Sequence, residues 1–410
     1  MKAKRIMTER AFQNLFGNVQ GGSFTIRHKD GKEEIYGDGK PLFTIVLKSE
    51  NVLDLVSGDM LMTFGKAYME GRVDVKGDLA DLISLAIQNG LMSAVHRKTE
   101  TRLVTPILGR FRSQKREKKN IAHHYDIGND FFGLWLDDSL TYSCGYFQNV
   151  SDTIEQAQLQ KIEHSLRKLR LKPNESVLDI GCGWGSVVIR AAEQFGARAT
   201  GITLSQEQIA GASDAIVSRR LQDKADVRLM DYAALAKEGQ KFDKVVSIGM
   251  IEHVGKEHLA EFIDHLENLL KPGGLALLHF ITAVNEGPIN GWIEKNIFPG
   301  GYIPTLSEIV ARITDRDFRV WDVENLAPHY RMTLDHWSER FENAVPSVLE
   351  RFDEKFVRMW RLYLRVSSAA FKEGEVEVHQ ILVSRGKPVN LPLTRDDLYR
   401  SESNVEHKSR

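Results

Sequence analysis

Apolar residues follow two rhythms along this chain, and the rhythm changes near residue 121. Beyond it, short apolar runs recur at "SVLDIG", "ARATGIT", "VRLM", "FDKVVSIG", "LALLHFI", "FRVWDV" and "EVHQILV". Their length and β-branched content suit strands buried on both faces. Segments of helical period lie between most of them. Strands alternating with helices predict an α/β fold with a seven-stranded, mostly parallel, doubly wound sheet. Before residue 121 the pattern is mixed. "SFTIRHKDGKEEIYG" reads as a hairpin turned at Asp30-Gly31, "LFTIVLK" as a further strand, and "DLADLISLAIQNG" as a helix closed by Gly90. This reading gives a small α+β domain over residues 1–95, a linker over 96–120, a large α/β domain over 121–390 and a polar, mobile tail over 391–410.

The totals narrow the function class. The chain has 410 residues, more than one ordinary core. An apolar fraction of 42% with 27% charged residues belongs to a soluble globular protein. A net charge of −1 gives no global attraction to nucleic acid or anionic membrane. One segment departs from this balance. Residues 97–119 hold nine Lys or Arg against two Glu, with Leu103, Val104, Ile107, Leu108 and Phe111 among them. It reads either as a solvated linker or as a basic segment for anionic headgroups. No nucleic-acid motif accompanies it. Two cysteines, Cys144 and Cys182, make neither a disulfide framework nor a four-thiolate zinc site, so a reducing compartment and no metal are expected. The N-terminus lacks an apolar signal core, and no apolar run is long enough to cross a bilayer. A lipid, if handled, is reached from the membrane surface.

The strongest local signal is "VLDIGCGWGS". A strand leads to Asp179, then Gly181, Gly183 and Gly185 alternate before the helix "VVIRAAEQFG". Such glycines let the backbone turn tightly and let a ligand lie against it. The spacing is not that of a dinucleotide loop, and no P-loop lysine follows. An acid before the glycines suits a cationic amino-acid ligand, and the pattern resembles the S-adenosylmethionine loop of class I methyltransferases. The second strand ends without the acid that holds a ribose, which leaves Thr203 and Gln208 for that place. In "LMDYAAL", Asp231 reads either as a helix N-cap or as an acceptor for an adenine amino group, with Tyr232 on the ring face. Cys182 reads as small filler.

"TYSCGYF" leaves Cys144 open as a nucleophile, a metal ligand or a packing residue. Taken with "VLDIGCGWG", "GITLSQEQ", "SIGMIEHVG", "LHFI" and "APHYRMTLDHW", in that order, it resembles the cyclopropane fatty acid and mycolic acid cyclopropane synthase family. The resemblance spans about residues 121–385, and the extra N-terminal domain is similar to that of the phospholipid-acting branch. It implies methylene transfer from S-adenosylmethionine to the cis double bond of phospholipid acyl chains. The carbocation formed must lose a proton in a site shielded from water, and the resemblance implies bicarbonate as the base. Glu252, His279 and Tyr330 match the family's bicarbonate-binding side chains, and Cys144 and Ile281 match positions that use main-chain groups. Tyr142 and Ser143 match cofactor contacts, His124 and Tyr125 match a closing segment that faces the lipid, and "NIFPGGYIPT" matches the acyl channel. A homodimer, a lipid-interaction role for residues 1–95 and a cytoplasmic protein peripheral to the inner membrane face are further implications. The competing readings are a related methyltransferase acting on another lipid or a small amine, and a lipid-binding protein without turnover.

Overall fold

A computed structural model describes residues 10–49, 59–91, 127–386 and 390–399. The basic segment 97–119 lies outside the described residues, as do His124 and Tyr125.

The seven runs read as strands are strands: β5 (Ser176–Ile180), β6 (Arg198–Thr203), β7 (Ala225–Leu229), β8 (Phe242–Ile248), β9 (Leu270–Ala283), β10 (Phe318–Asn325) and β11 (Val376–Arg385). They form one sheet in the order β10-β11-β9-β8-β5-β6-β7. Only β11 runs against its neighbours, pairing antiparallel with β9 and β10. This is the class I methyltransferase fold. The chain winds outward from β5 through β6 to β7, then returns to β8 on the other side of β5. The strand order therefore reverses between β5 and β8, where open α/β sheets hold their ligands beyond the carboxyl ends of the strands. The helix Leu259–Leu269 buries Phe262, Ile263 and Leu266 on one face of the sheet, and Ser186–Gln194 buries Val187, Val188 and Ala191 on the other.

The N-terminal residues build a second sheet, β2-β1-β3-β4, from β1 (Ser23–Arg27), β2 (Glu33–Gly37), β3 (Pro41–Leu47) and β4 (Val73–Lys76). The expected hairpin is β1–β2, turned at Gly31 with φ of 88°. The helix closed by Gly90 is Leu79–Gln88, capped by Asp78. β4 and the helix Met60–Met69 escape a sequence reading: the strand is only four residues long, and Gly65 interrupts the buried side of the helix. This domain docks on the long helix Glu354–Lys372. There the buried Arg358 lies over the Tyr68 ring and donates to the carbonyls of Tyr68 and Val73, the latter at 2.7 Å. Gly65 leaves the close approach that Trp292 of the large domain fills.

Part of the segment read as a mobile tail is docked instead. Leu398 is buried, and Arg395 and Asp397 pair with Asp322 and Arg170. Leu391 packs against the core and the Tyr399 ring lies by His164, so apolar contacts and ion pairs together dock it. Among the described residues no helix is long and apolar enough to cross a membrane.

Candidate active site

The first half of the site is built by backbone. Gly181, Gly183 and Gly185 have φ of 84°, 53° and 83°, values that side-chain-bearing residues rarely adopt. A Cβ at Gly185 would also stand 3.1 Å from that of Ala212. This turn, with the loops after β6, β7 and β8, encloses a cavity at the switch point. Asp179, 3% exposed, lines it from the end of β5. Burial pushes its carboxyl up to about 7, and the Lys161 ammonium pulls the other way. Thr203 donates to Gln208 at 2.6 Å, so these two hydroxyl and amide groups hold each other at the cavity wall. Of the two roles left open by its sequence, the structure shows the N-cap for Asp231 and leaves it on the cavity wall. It caps the helix Tyr232–Lys237, accepting from the Ala233 amide at 2.9 Å, and it lines the cavity beside Tyr232. On the opposite wall, Tyr142 shares a hydrogen bond with Tyr363 at 2.7 Å, and Ser143 accepts from Lys161 at 2.9 Å.

The second half is assembled by side chains from distant segments. Glu252 follows β8 and accepts from the Ile281 amide of β9 at 2.8 Å. Its other oxygen, Oε2, is buried without a hydrogen-bond partner. Burial raises this carboxyl to about 7. His279 lies two residues before Ile281, on the same face of β9. Gln380 Nε2 donates to its Nδ1 at 3.1 Å, which leaves the proton of the neutral ring on Nε2. Nε2 is also buried without a partner. Burial, aided by the Lys161 charge, holds the ring well below its ordinary pKa. Ile281 pairs with Val378, whose carbonyl accepts from Leu326 at 2.8 Å. The Leu326 carbonyl in turn accepts from the Tyr330 amide at 3.2 Å and faces Cys144 Sγ at 3.9 Å. A run of backbone contacts, ended by the side chains of Glu252 and Cys144, thus links the segments that carry the five matched residues. The Ile281 amide, matched to an anion contact, is taken by Glu252.

Cys144 is wholly buried, and burial pushes its thiol far above the usual range. That environment suits a wall and not a nucleophile. Cys182 is buried beside Gly201, where it packs. Tyr330 stands against Phe371 and Trp337, with ring centroids at 4.6 and 6.1 Å. Among the described residues no cluster of His, Cys, Asp and Glu is arranged to hold a metal ion.

Sequence reasoning missed the supports. The helix Ile154–Lys168 buries Gln158, Lys161 and Ser165 along with its apolar residues. Gln158 donates to the Thr141 and Ser143 carbonyls at 3.2 and 2.8 Å. Ser165 accepts from Gln380 at 3.1 Å. The signal was present: these three polar residues occupy positions of the stripe set by Ile154, Ala157 and Ile162.

Comparison with known proteins bears on the family and the fold. The family model for mycolic acid cyclopropane synthetase matches residues 112–381, and a domain of unknown function matches residues 11–98. A "probable fatty acid methyltransferase" of Pseudomonas putida is 38% identical, over 88% of this chain and 92% of its own. The cyclopropane-fatty-acyl-phospholipid synthase of Escherichia coli is 33% identical, over 86% and 90%. A crystal structure of a mycolic acid cyclopropane synthase complexed with S-adenosylhomocysteine superposes with a TM-score of 0.62 at 31% identity, over 65% of this chain and 98% of that one. The matched family model and these relatives show that the chain belongs to the mycolic acid cyclopropane synthetase family, in keeping with its sheet order and glycine turn.

Proposed function

We propose that this protein transfers a methylene group from S-adenosylmethionine to a cis double bond in a phospholipid acyl chain and closes a cyclopropane ring. The observation that carries the reading is the pair of buried, unpartnered atoms Glu252 Oε2 and His279 Nε2. Leaving such groups unmade costs about 1–3 kcal/mol each. One is an acceptor and the other a donor. Bicarbonate, which has both an O–H and anionic oxygens, satisfies both, and it would be held by Glu252, His279 and the Tyr330 hydroxyl. Bound there, it supplies a weak base where a proton must leave. S-adenosylmethionine supplies an electrophilic methyl group, and the donors and acceptors on the cavity wall fit its zwitterionic end, sugar and base. Asp179 and Ser143 face the zwitterion, Thr203 and Gln208 the ribose, and Asp231 and Tyr232 the adenine. Apolar and aromatic walls, among them Phe298 against Tyr363 at 5.8 Å, keep water from the reacting carbons.

The relative named as a fatty acid methyltransferase favours a second product on the same substrate, a methyl branch in place of a ring. A lipid substrate also accords with the N-terminal cavity lined by Phe16, Phe24, Phe43, Leu61, Phe64 and Leu85, which is almost free of polar atoms. The basic segment 97–119 is proposed to draw the enzyme to anionic bilayers. Replacing Lys115, Arg116, Lys118 and Lys119 by Gln should weaken vesicle sedimentation at low salt and leave cofactor affinity unchanged. The function itself is tested with methyl-labelled S-adenosylmethionine and vesicles of cis-unsaturated phospholipid. Label in the acyl fraction is expected. Label in the headgroup, or none, would overturn the reading.

A further inference from the structure

Lys161 is the buried charge that the proposed chemistry does not use. It is 1% exposed, and among the described residues its ammonium makes one hydrogen bond, to Ser143 Oγ at 2.9 Å. It lines the same cavity as Asp179. The titratable groups that face it come from four places: Asp137 in the loop after the short helix Asn129–Phe132, Cys144 in the 141–147 segment, Asp179 on β5 and His279 on β9. A buried ammonium is costly, and an apolar side chain of similar volume would often serve stability better. Its placement therefore calls for a role at the cavity. Two consequences follow from the geometry. Ser143 Oγ accepts from Lys161, so the serine's own proton is directed elsewhere and Ser143 becomes a donor to the cavity. Asp179, desolvated at the end of β5, has a cation at its back.

We propose that Lys161 is a positioning residue for the cofactor. By fixing Ser143 as a donor and keeping Asp179 ionised as an acceptor, it sets the wall to match the carboxylate and ammonium of the methionine end of S-adenosylmethionine. This rests on S-adenosylmethionine occupying the cavity. The opposed shifts support it: burial pushes Asp179 up to about 7 and Lys161 down to about 8, and each charge counters the other's shift.

Calorimetric titration of the full chain with S-adenosylmethionine between pH 6 and 9 tests it. Wild-type affinity should rise through a midpoint near that of Asp179. Lys161→Met should bind about tenfold more weakly at pH 7 with its midpoint raised by about one unit, and regain most affinity at pH 9. Lys161→Arg should keep the wild-type midpoint. Ser143→Ala should weaken binding at every pH without moving the midpoint. A Lys161→Met protein with the wild-type midpoint, or with a loss independent of pH, would overturn the proposal. Should that variant not fold, Lys161→Met in an Asp179→Asn background decides: a further loss no larger than that of Ser143→Ala and constant from pH 6 to 9 supports the proposal, and a larger or pH-dependent loss refutes it. A wild-type chain that does not bind S-adenosylmethionine would remove the cofactor reading and this proposal with it.

Discussion

The two halves of the site solve the same problem in opposite ways. Around the glycine turn, the polar side chains are engaged before any ligand arrives: Thr203 with Gln208, Asp231 with Ala233, Tyr142 with Tyr363. At the ends of β8 and β9, Glu252 Oε2 and His279 Nε2 are buried and unpartnered. The first half is pre-organised around a ligand that must enter and leave at each turnover. The second half is left incomplete, and under the proposed function a bound bicarbonate would complete it. A pocket that pays a desolvation cost of this kind is retained for function and not for stability.

That contrast can be broken by substitution. The largest effect is expected from Glu252→Gln, which keeps the size of the side chain but loses the anion's partner. Turnover should fall by about 10²–10³-fold, the range of a displaced general base, while cofactor affinity by titration stays near wild type. A parallel loss of cofactor affinity would merge the two halves into one. Asp179→Ala is the converse. Cofactor affinity should fall by about 10–100-fold, as for a lost charged hydrogen bond, with the protein still folded by circular dichroism.

Stability against pH sharpens the same comparison. The Glu252 carboxyl rises from 4.5 in the unfolded chain to about 7 in the fold, so its contribution is full below pH 4.5 and is lost as pH rises through 7. Glu252→Gln, which mimics the protonated form, should therefore be the more stable protein at pH 8 in bicarbonate-free buffer, by up to about 3 kcal/mol. The difference should vanish near pH 4.5, and adding bicarbonate should narrow it. Thermal unfolding across that range reads it out. The smallest effect is expected from Cys144→Ser, which should keep activity within about tenfold, since a deeply buried thiol acts by packing. A dead Cys144→Ser enzyme of normal stability would return the thiol to the chemistry.

Legibility in the sequence followed locality. The seven strands and the Asp179–Gly185 turn were readable because each is imposed within a few residues, by an apolar run or by backbone that only glycine adopts freely. The pairing of Glu252 with Ile281, and of His279 with Gln380, joins residues far apart in the chain; the motif order reached Glu252, His279 and Ile281 where periodicity alone did not, and left Gln380 unread. Lys161 and Gln158 were lost because a polar residue in an apolar stripe was read as part of an ordinary amphipathic helix. The docked Leu398 was missed because the few apolar residues around it, Leu391, Leu393 and Tyr399, follow no regular period.

The account stands on the product of one reaction. The enzyme is incubated with S-adenosylmethionine carrying a ¹³C methyl group and vesicles of cis-unsaturated phospholipid, and the lipid is examined by mass spectrometry and NMR. The account predicts an acyl chain heavier by one labelled CH₂, with cyclopropane signals in place of the vinyl protons. Labelled chains that keep an alkene, or that carry a methyl branch, would contradict ring closure in the Glu252–His279 pocket.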